Sequence, residues 1–248
     1  MSKLGQIVIE GKSKKFYELD NGNLFMVFKP HLRSVTSKRE GNIEGTDLER
    51  LQANRIIMNA IAKHGIKTHL VDGSTKVIEG MTGLEVVRTN TIPIEFICRY
   101  YAAGSIVRLY PSIVKPNMKF KYPLFKYDLK QDVSVAGVDD PTLNESYITG
   151  LGLLTERQLC TAKRMLEDIG YTVCKLLDDA NMTLIDMKME FGFKPDGEII
   201  LIDEISQDCI RANDKISWEP MTKDAYRNMQ SDEEVLNKYK EFNQRINR

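Results

Sequence analysis

The chain has 248 residues, 42% of them hydrophobic and 28% charged, with 35 Lys plus Arg against 35 Asp plus Glu. That is enough apolar sequence for one large or two small domains. The even charge gives no general basic field, so neither nucleic acid nor an anionic membrane is an expected partner. No apolar run reaches membrane-spanning or signal-peptide length. Cys98, Cys160, Cys174 and Cys209 match no zinc or redox spacing, so a reducing, cytoplasmic setting is expected.

In chain order, Gln6 to Glu10, Lys14 to Leu19 and Leu24 to Lys29 predict three short strands, with turns at Gly11-Lys12 and Asn21-Gly22-Asn23. Residues 30 to 46 are polar and read as irregular. Thr46 or Asp47 can cap a helix that runs to about His64, where Gly65 suits the left-handed C-terminal position. Strand-like segments follow near Lys67–Val71, Lys76–Glu79, Leu84–Arg88 and Ile94–Tyr100. The Pro- and Lys-rich stretch from Pro111 to Asn144 reads as long loops with short strands. Thr155-Glu-Arg-Gln158 and Ser231-Asp-Glu-Glu234 are capping boxes, opening one helix to about Asp179 and another to the chain end. Strands cluster early and helices later, which predicts an α+β fold.

The segment from 183 to 206 carries the most chemistry. Ile185, Met187, Met189 and Phe191 alternate with Asp186, Lys188 and Glu190, the period of a strand with one polar face. Lys194-Pro195-Asp196-Gly197 predicts a turn. Symmetric pairing about it sets Lys188 opposite Asp203, within a second strand from Ile199 to Glu204. Asp186, Lys188, Glu190 and Asp203 then crowd one exposed face. Such a face is either solvated polarity or a site where carboxylates hold a hard cation such as Mg²⁺, or order charge around a phosphate.

Other candidates are weaker alone. Lys12 and Lys14 flank a Gly turn that lets backbone approach phosphate, or they are solvated surface. Glu95, Ile97 and Arg99 share a strand face, before Ala102-Ala103-Gly104-Ser105. Arg211 can clamp a phosphate or pair with a nearby acid. His31, His64 and His69 form no metal spacing.

Taken in order, these pieces resemble the SAICAR synthetase (phosphoribosylaminoimidazole-succinocarboxamide synthase) family. The segments are Gly11-Lys12-Ser13-Lys14-Lys15, Gly65-Ile66-Lys67-Thr68-His69, Glu95 through Ser105, Asp140-Pro141 with Asn144-Glu145, Asp186 through Gly192, and Asp203-Glu204-Ile205-Ser206 through Arg211. The resemblance implies two lobes with an ATP cleft between them, similar to kinase and ATP-grasp folds. One is a β-rich lobe over residues 1–90, the other a larger α+β lobe over 91–248. It implies an ATP-dependent C–N ligase of purine biosynthesis, joining carboxyaminoimidazole ribotide to L-aspartate. It also implies a homo-oligomer, most simply a dimer. By the same resemblance, Lys12, Lys14 and Lys130 approach ATP phosphates and Glu95 its adenine or ribose edge. Glu190 and Asp203 bind Mg²⁺, and Arg99, Ser105 and Arg211 hold the ribotide phosphate. Asp186 and Lys188 face the reacting imidazole group.

The sequence departs from the family pattern in places. The early loop reads His31-Leu32-Arg33-Ser34-Val35-Thr36-Ser37 in place of the usual Asp-x-Thr-Ser/Ala. Ala212-Asn213 replaces Leu-Trp, Ala225 interrupts a basic run, and the span from Gln131 to Asp140 is long. Two alternatives therefore stay open: a related ligase using another amine, and a nucleotide-binding protein without catalysis.

Overall fold

The computed structural model describes residues 3–34, 37–131 and 140–247. The long span expected after Gln131 and part of the divergent early loop lie outside them. The first sheet is antiparallel, in the order β1–β2–β3–β7–β6. It comprises β1 (Leu4–Glu10), β2 (Lys14–Leu19), β3 (Leu24–Phe28), β6 (Leu70–Ile78) and β7 (Met81–Val86). Residues 30 to 46, read as irregular, contain a small ribbon of β4 (His31–Ser34) and β5 (Arg39–Asn42). Helix α1 (Thr46–Lys63) starts without a side-chain cap: Gly45 takes the N-cap position in the left-handed region, and the Thr46 hydroxyl instead donates to Ile43 O.

The second sheet runs β10–β9–β8–β11–β12, with β13 also on β11. Its strands are β8 (Asn90–Tyr101), β9 (Lys119–Leu129), β10 (Thr142–Leu143), β11 (Met182–Phe193), β12 (Ile199–Ile202) and β13 (Ile210–Asp214). The expected loops after Pro111 include the whole of β9. Its alternation is masked by lysines and by Pro123, which is tolerated because β10 pairs only with Tyr127 and Asp128, leaving β8 as the one partner near the proline. The remaining helices among the described residues are α2 (Ser105–Leu109), α3 (Glu145–Gly150), α4 (Glu156–Asp179), α5 (Asp224–Arg227) and α6 (Asp232–Ile246). Both capping boxes form as expected, at Thr155 and Ser231.

One face of the second sheet is apolar. Phe96, Cys98, Met187, Met189 and Phe191 pack against Leu159, Ala162, Leu166, Ile169, Val173 and Leu177 of α4, which recur at helical spacing. Ala53, Ile57, Met58 and Ile61 of α1 enter the same core, while Leu51 packs with the first sheet, so α1 joins the two. Gly170 lies where α4 crosses Tyr100, and a Cβ there would collide with the tyrosine hydroxyl. Overpacking costs about 1–3 kcal/mol and the helix-propensity gain from Ala returns about 1. Gly170→Ala is therefore expected to lower stability by up to about 2 kcal/mol, read as an earlier urea midpoint with an unchanged slope.

The β11–β12 turn differs from the symmetric expectation. Lys194 N donates to Glu198 O, and Gly197 sits at φ 83°, so the loop has three residues with a left-handed glycine last. The register is Glu190 opposite Ile202, β12 ends there, and Lys188 is not paired with Asp203. β12 and β13 then share one edge of β11, and residues 203 to 209 loop out between them.

Candidate active site

The face of the second sheet opposite its core carries charge in register. Asp186 lies directly across from Arg99 on β8 and Arg211 on β13. Its carboxylate accepts from Arg99 Nε at 3.1 Å and from Arg211 Nη1 at 2.8 and 3.0 Å. Further along, Glu190 faces Glu95, which faces Asp128. Each of these acids has its own lysine. Lys130 reaches both Glu190 oxygens at 2.7 Å, Lys188 reaches Glu95 at 2.5 Å, and Lys126 reaches Asp128 at 2.7 Å.

This face is not exposed, contrary to the sequence reading: Asp186 is 4% and Glu190 3% accessible. Charges buried so deeply persist only when paired. The pairing is incomplete at Glu190, where burial and then the Asp203 charge raise the carboxyl pKa despite Lys130 and Lys188. For Lys188, burial is outweighed by Cys209, Glu95 and Glu190, and the ammonium is held well above its usual range.

The loop from 203 to 209 is gripped from the other sheet and from α1. Asp203 begins it in the left-handed region at φ 65°. Lys14 of β2 reaches Asp203 Oδ1 at 2.6 Å and Glu204 Oε1 at 2.8 Å. Arg50 of α1, wholly buried, donates to Glu204 at 2.5 and 3.3 Å. Both cations stand over the Phe28 ring, at 5.8 and 5.3 Å from its centre. Burial opposes charge on Glu204, but Arg50 and Lys14 outweigh it and hold the carboxyl far below its ordinary range. Behind Asp203, burial pushes the His69 imidazole down to about 4, so it stays neutral.

The structure brings Asp186, Lys188, Glu190, Arg99, Glu95, Lys130 and Arg211 onto one face, and Asp203 is close enough for its charge to be felt at Glu190. Arg99, Ser105 and Arg211 line one cavity of about 210 Å³, together with Asp186 and Lys188. Gly104, at φ 64°, lets the Arg211 guanidinium come within 3.0 Å of where a Cβ would stand. Lys12 and Lys14 separate: Lys14 turns inward, while Lys12 stays exposed beside a cavity of about 750 Å³ shared with Lys15, Lys29 and His31.

Arg50, Glu204, Asp208 and Cys209 carry no sequence signal of their own as site residues, although Glu204, Asp208 and Cys209 lie inside the motif from Asp203 to Arg211. Among the described residues, Asp203, Glu204 and Cys209 offer metal-ligating atoms within 4.8 Å of one another. All four cysteines are free thiols, and no helix among the described residues is long and apolar enough to cross a membrane.

Comparison with known proteins gives one consistent answer. A family model described as SAICAR synthetase matches residues 7–246. The phosphoribosylaminoimidazole-succinocarboxamide synthase of Methanopyrus kandleri is 30% identical over 244 residues, covering 98% of this chain and 94% of its own. That of Methanoculleus marisnigri is 35% identical over 223 residues, covering 89% and 87%. The crystal structure of the Ehrlichia chaffeensis synthase superposes with a TM-score of 0.87 at 26% identity, covering 98% of each chain. A SAICAR synthetase in complex with ADP gives 0.86 at 25% identity, covering 97% of each.

Proposed function

Because this chain belongs to the SAICAR synthetase family and is an ATP-dependent ligase of purine biosynthesis, we propose how its cleft divides the labour of that reaction. A carboxylate is a poor acyl donor, so phosphoryl transfer from ATP to the ribotide carboxylate precedes attack by the aspartate amine. Such a transfer depends on alignment and on neutralising charge as it spreads.

Arg99, Ser105 and Arg211 take the ribotide phosphate. Asp186 holds the two guanidinium groups side by side, which supports a rigid anion seat. Asp186 and Lys188 border the imidazole carboxylate and its neighbouring amine. Lys12, Lys14 and Lys130 face ATP phosphates, and Glu95 the nucleoside edge.

Glu190 and Asp203 are the Mg²⁺ ligands. Both are hard oxygen donors, and burial and then the Asp203 charge raise the Glu190 pKa, a cost to its ionised form that a cation would relieve. When bound, Mg²⁺ supplies charge neutralisation at the ATP phosphates. In this reading residues 1–90 form the lobe covering ATP and residues 91–248 carry the metal and ribotide seats. A homo-oligomer, most simply a dimer, is part of the proposal. Leu109, Tyr110 and Ile113 support it, being 62%, 52% and 72% exposed near one another in sequence. A cytosolic setting accords with the four free thiols.

The observation that carries this reading is the paired-arginine seat of Arg99, Asp186 and Arg211 on the same sheet face as Glu190. Turnover, followed as ADP release, is expected only with ATP, Mg²⁺, carboxyaminoimidazole ribotide and L-aspartate all present. Equal ADP release without aspartate, or faster release with another amine, would overturn the substrate assignment.

A further inference from the structure

The loop from 203 to 209 is held at a third place, by groups given no role above. Gln207 is wholly buried, and its side-chain amide donates to Tyr239 O at 3.2 Å and to Asn243 Oδ1 at 3.1 Å, both on α6. Asn243, 2% exposed, donates in turn to Glu49 O at 2.8 Å and Glu49 Oε2 at 2.6 Å on α1. Glu49 offers only acceptors there, which fixes the orientation of the Asn243 amide, and that fixes Gln207. Glu49 is the neighbour of Arg50, which grips Glu204. One residue after Glu204, Ile205 N donates to Asn54 Oδ1 at 2.8 Å.

Asp203 needs such support. A non-glycine residue at φ 65° is disfavoured and persists only where its surroundings over-determine it. The carboxylate it carries must also stay in place against Lys14. We propose that Glu49, Asn243 and Gln207 form a hydrogen-bond relay that bolts the C-terminal helix to the Asp203 loop, making them positioning residues for the metal-binding carboxylate. This inference rests on the reading of Asp203 as an Mg²⁺ ligand.

Asn243→Asp keeps the acceptor facing Gln207 but turns a carboxylate on Glu49. The variant is expected to raise the half-saturating Mg²⁺ concentration about tenfold, in a direct calorimetric titration as well as in ADP release, the usual scale for a residue supporting a metal ligand. KM for the ribotide should stay put, since Arg99, Ser105 and Arg211 are held separately. Adding Glu49→Gln to the same chain gives the new carboxylate at position 243 a side-chain donor again, although Glu49 O still faces it, so Mg²⁺ dependence should recover part of the way towards the parent. A merely structural contact would change the melting temperature and leave the Mg²⁺ response alone.

Should Asn243→Asp fail to fold, Gln207→Met decides by the same titration, because it keeps the volume and removes both hydrogen bonds. The relay is overturned by a parental Mg²⁺ response in the folded single variant, or by no recovery in the double variant. Asp203→Asn, titrated in parallel, separates the two claims. If it keeps the parental Mg²⁺ response, the metal assignment falls. If it loses that response while Asn243→Asp does not, the relay alone falls.

Discussion

Glu190→Gln is expected to reduce Mg²⁺-dependent turnover by on the order of a hundredfold to a thousandfold, the scale seen when one preorganised electrostatic group is removed, while the protein stays folded. Glutamine has nearly the same volume, and Lys130, half exposed at 48%, can return to water at little cost. Burial already raises the Glu190 pKa in the folded chain. A carboxyl with a raised folded pKa weakens the fold as pH climbs from its unfolded value of 4.5. The neutral amide escapes that penalty, so melting at neutral pH should be unchanged or slightly higher. Steady-state ADP release against Mg²⁺, beside a thermal melt, checks both halves. Parental rates in a folded variant would remove Glu190 from the metal site.

Arg50→Met is expected to destabilise the fold by about 3–5 kcal/mol, the cost of leaving a buried charge without its main partner. Glu204 is only 2% exposed and would retain Lys14 alone among its cationic partners. The sign of the pH dependence follows from the same contacts. Burial disfavours the Glu204 charge, yet Arg50 and Lys14 depress its pKa, so its stabilising contribution is present above the unfolded value of 4.5 and is lost as the solution is acidified below it. The difference between parent and variant should therefore be largest near neutrality and shrink through the acid limb. Urea unfolding across that range measures it. A loss below about 1 kcal/mol at neutral pH, as for an exposed pair, would contradict the buried-network account.

What can be read from sequence is local. The capping boxes at Thr155 and Ser231 depend on residues three apart, and both form. Lys14–Leu19 is a strand with the bounds its alternation suggests. The polar row of Asp186, Lys188 and Glu190 is legible for the same reason. Errors begin where one residue or a distant segment decides. The left-handed Gly197 adds a residue to the turn and slips the register by one. Gly45, not Thr46 or Asp47, takes the N-cap position of α1, and the Thr46 hydroxyl finds a carbonyl at Ile43. The acidic face reads as exposed in sequence because cations that cover and neutralise it, Lys14, Arg99 and Lys130, come from far along the chain. Nothing in the polar sequence around Arg50 distinguishes it from a solvated helix residue; only its packing against Phe28 and Glu204 does.

The claim on which the rest depends is that Glu190 and Asp203 together hold the cation that accompanies ATP. A crystal of the protein with Mg²⁺ and a non-hydrolysable ATP analogue tests it directly. Carboxylate oxygens of both residues on an ion that also touches the analogue's phosphates is the expected result. An ion seated on Asp203, Glu204 and Cys209 with Glu190 still paired to Lys130, or phosphates lying away from the second sheet, would contradict the account.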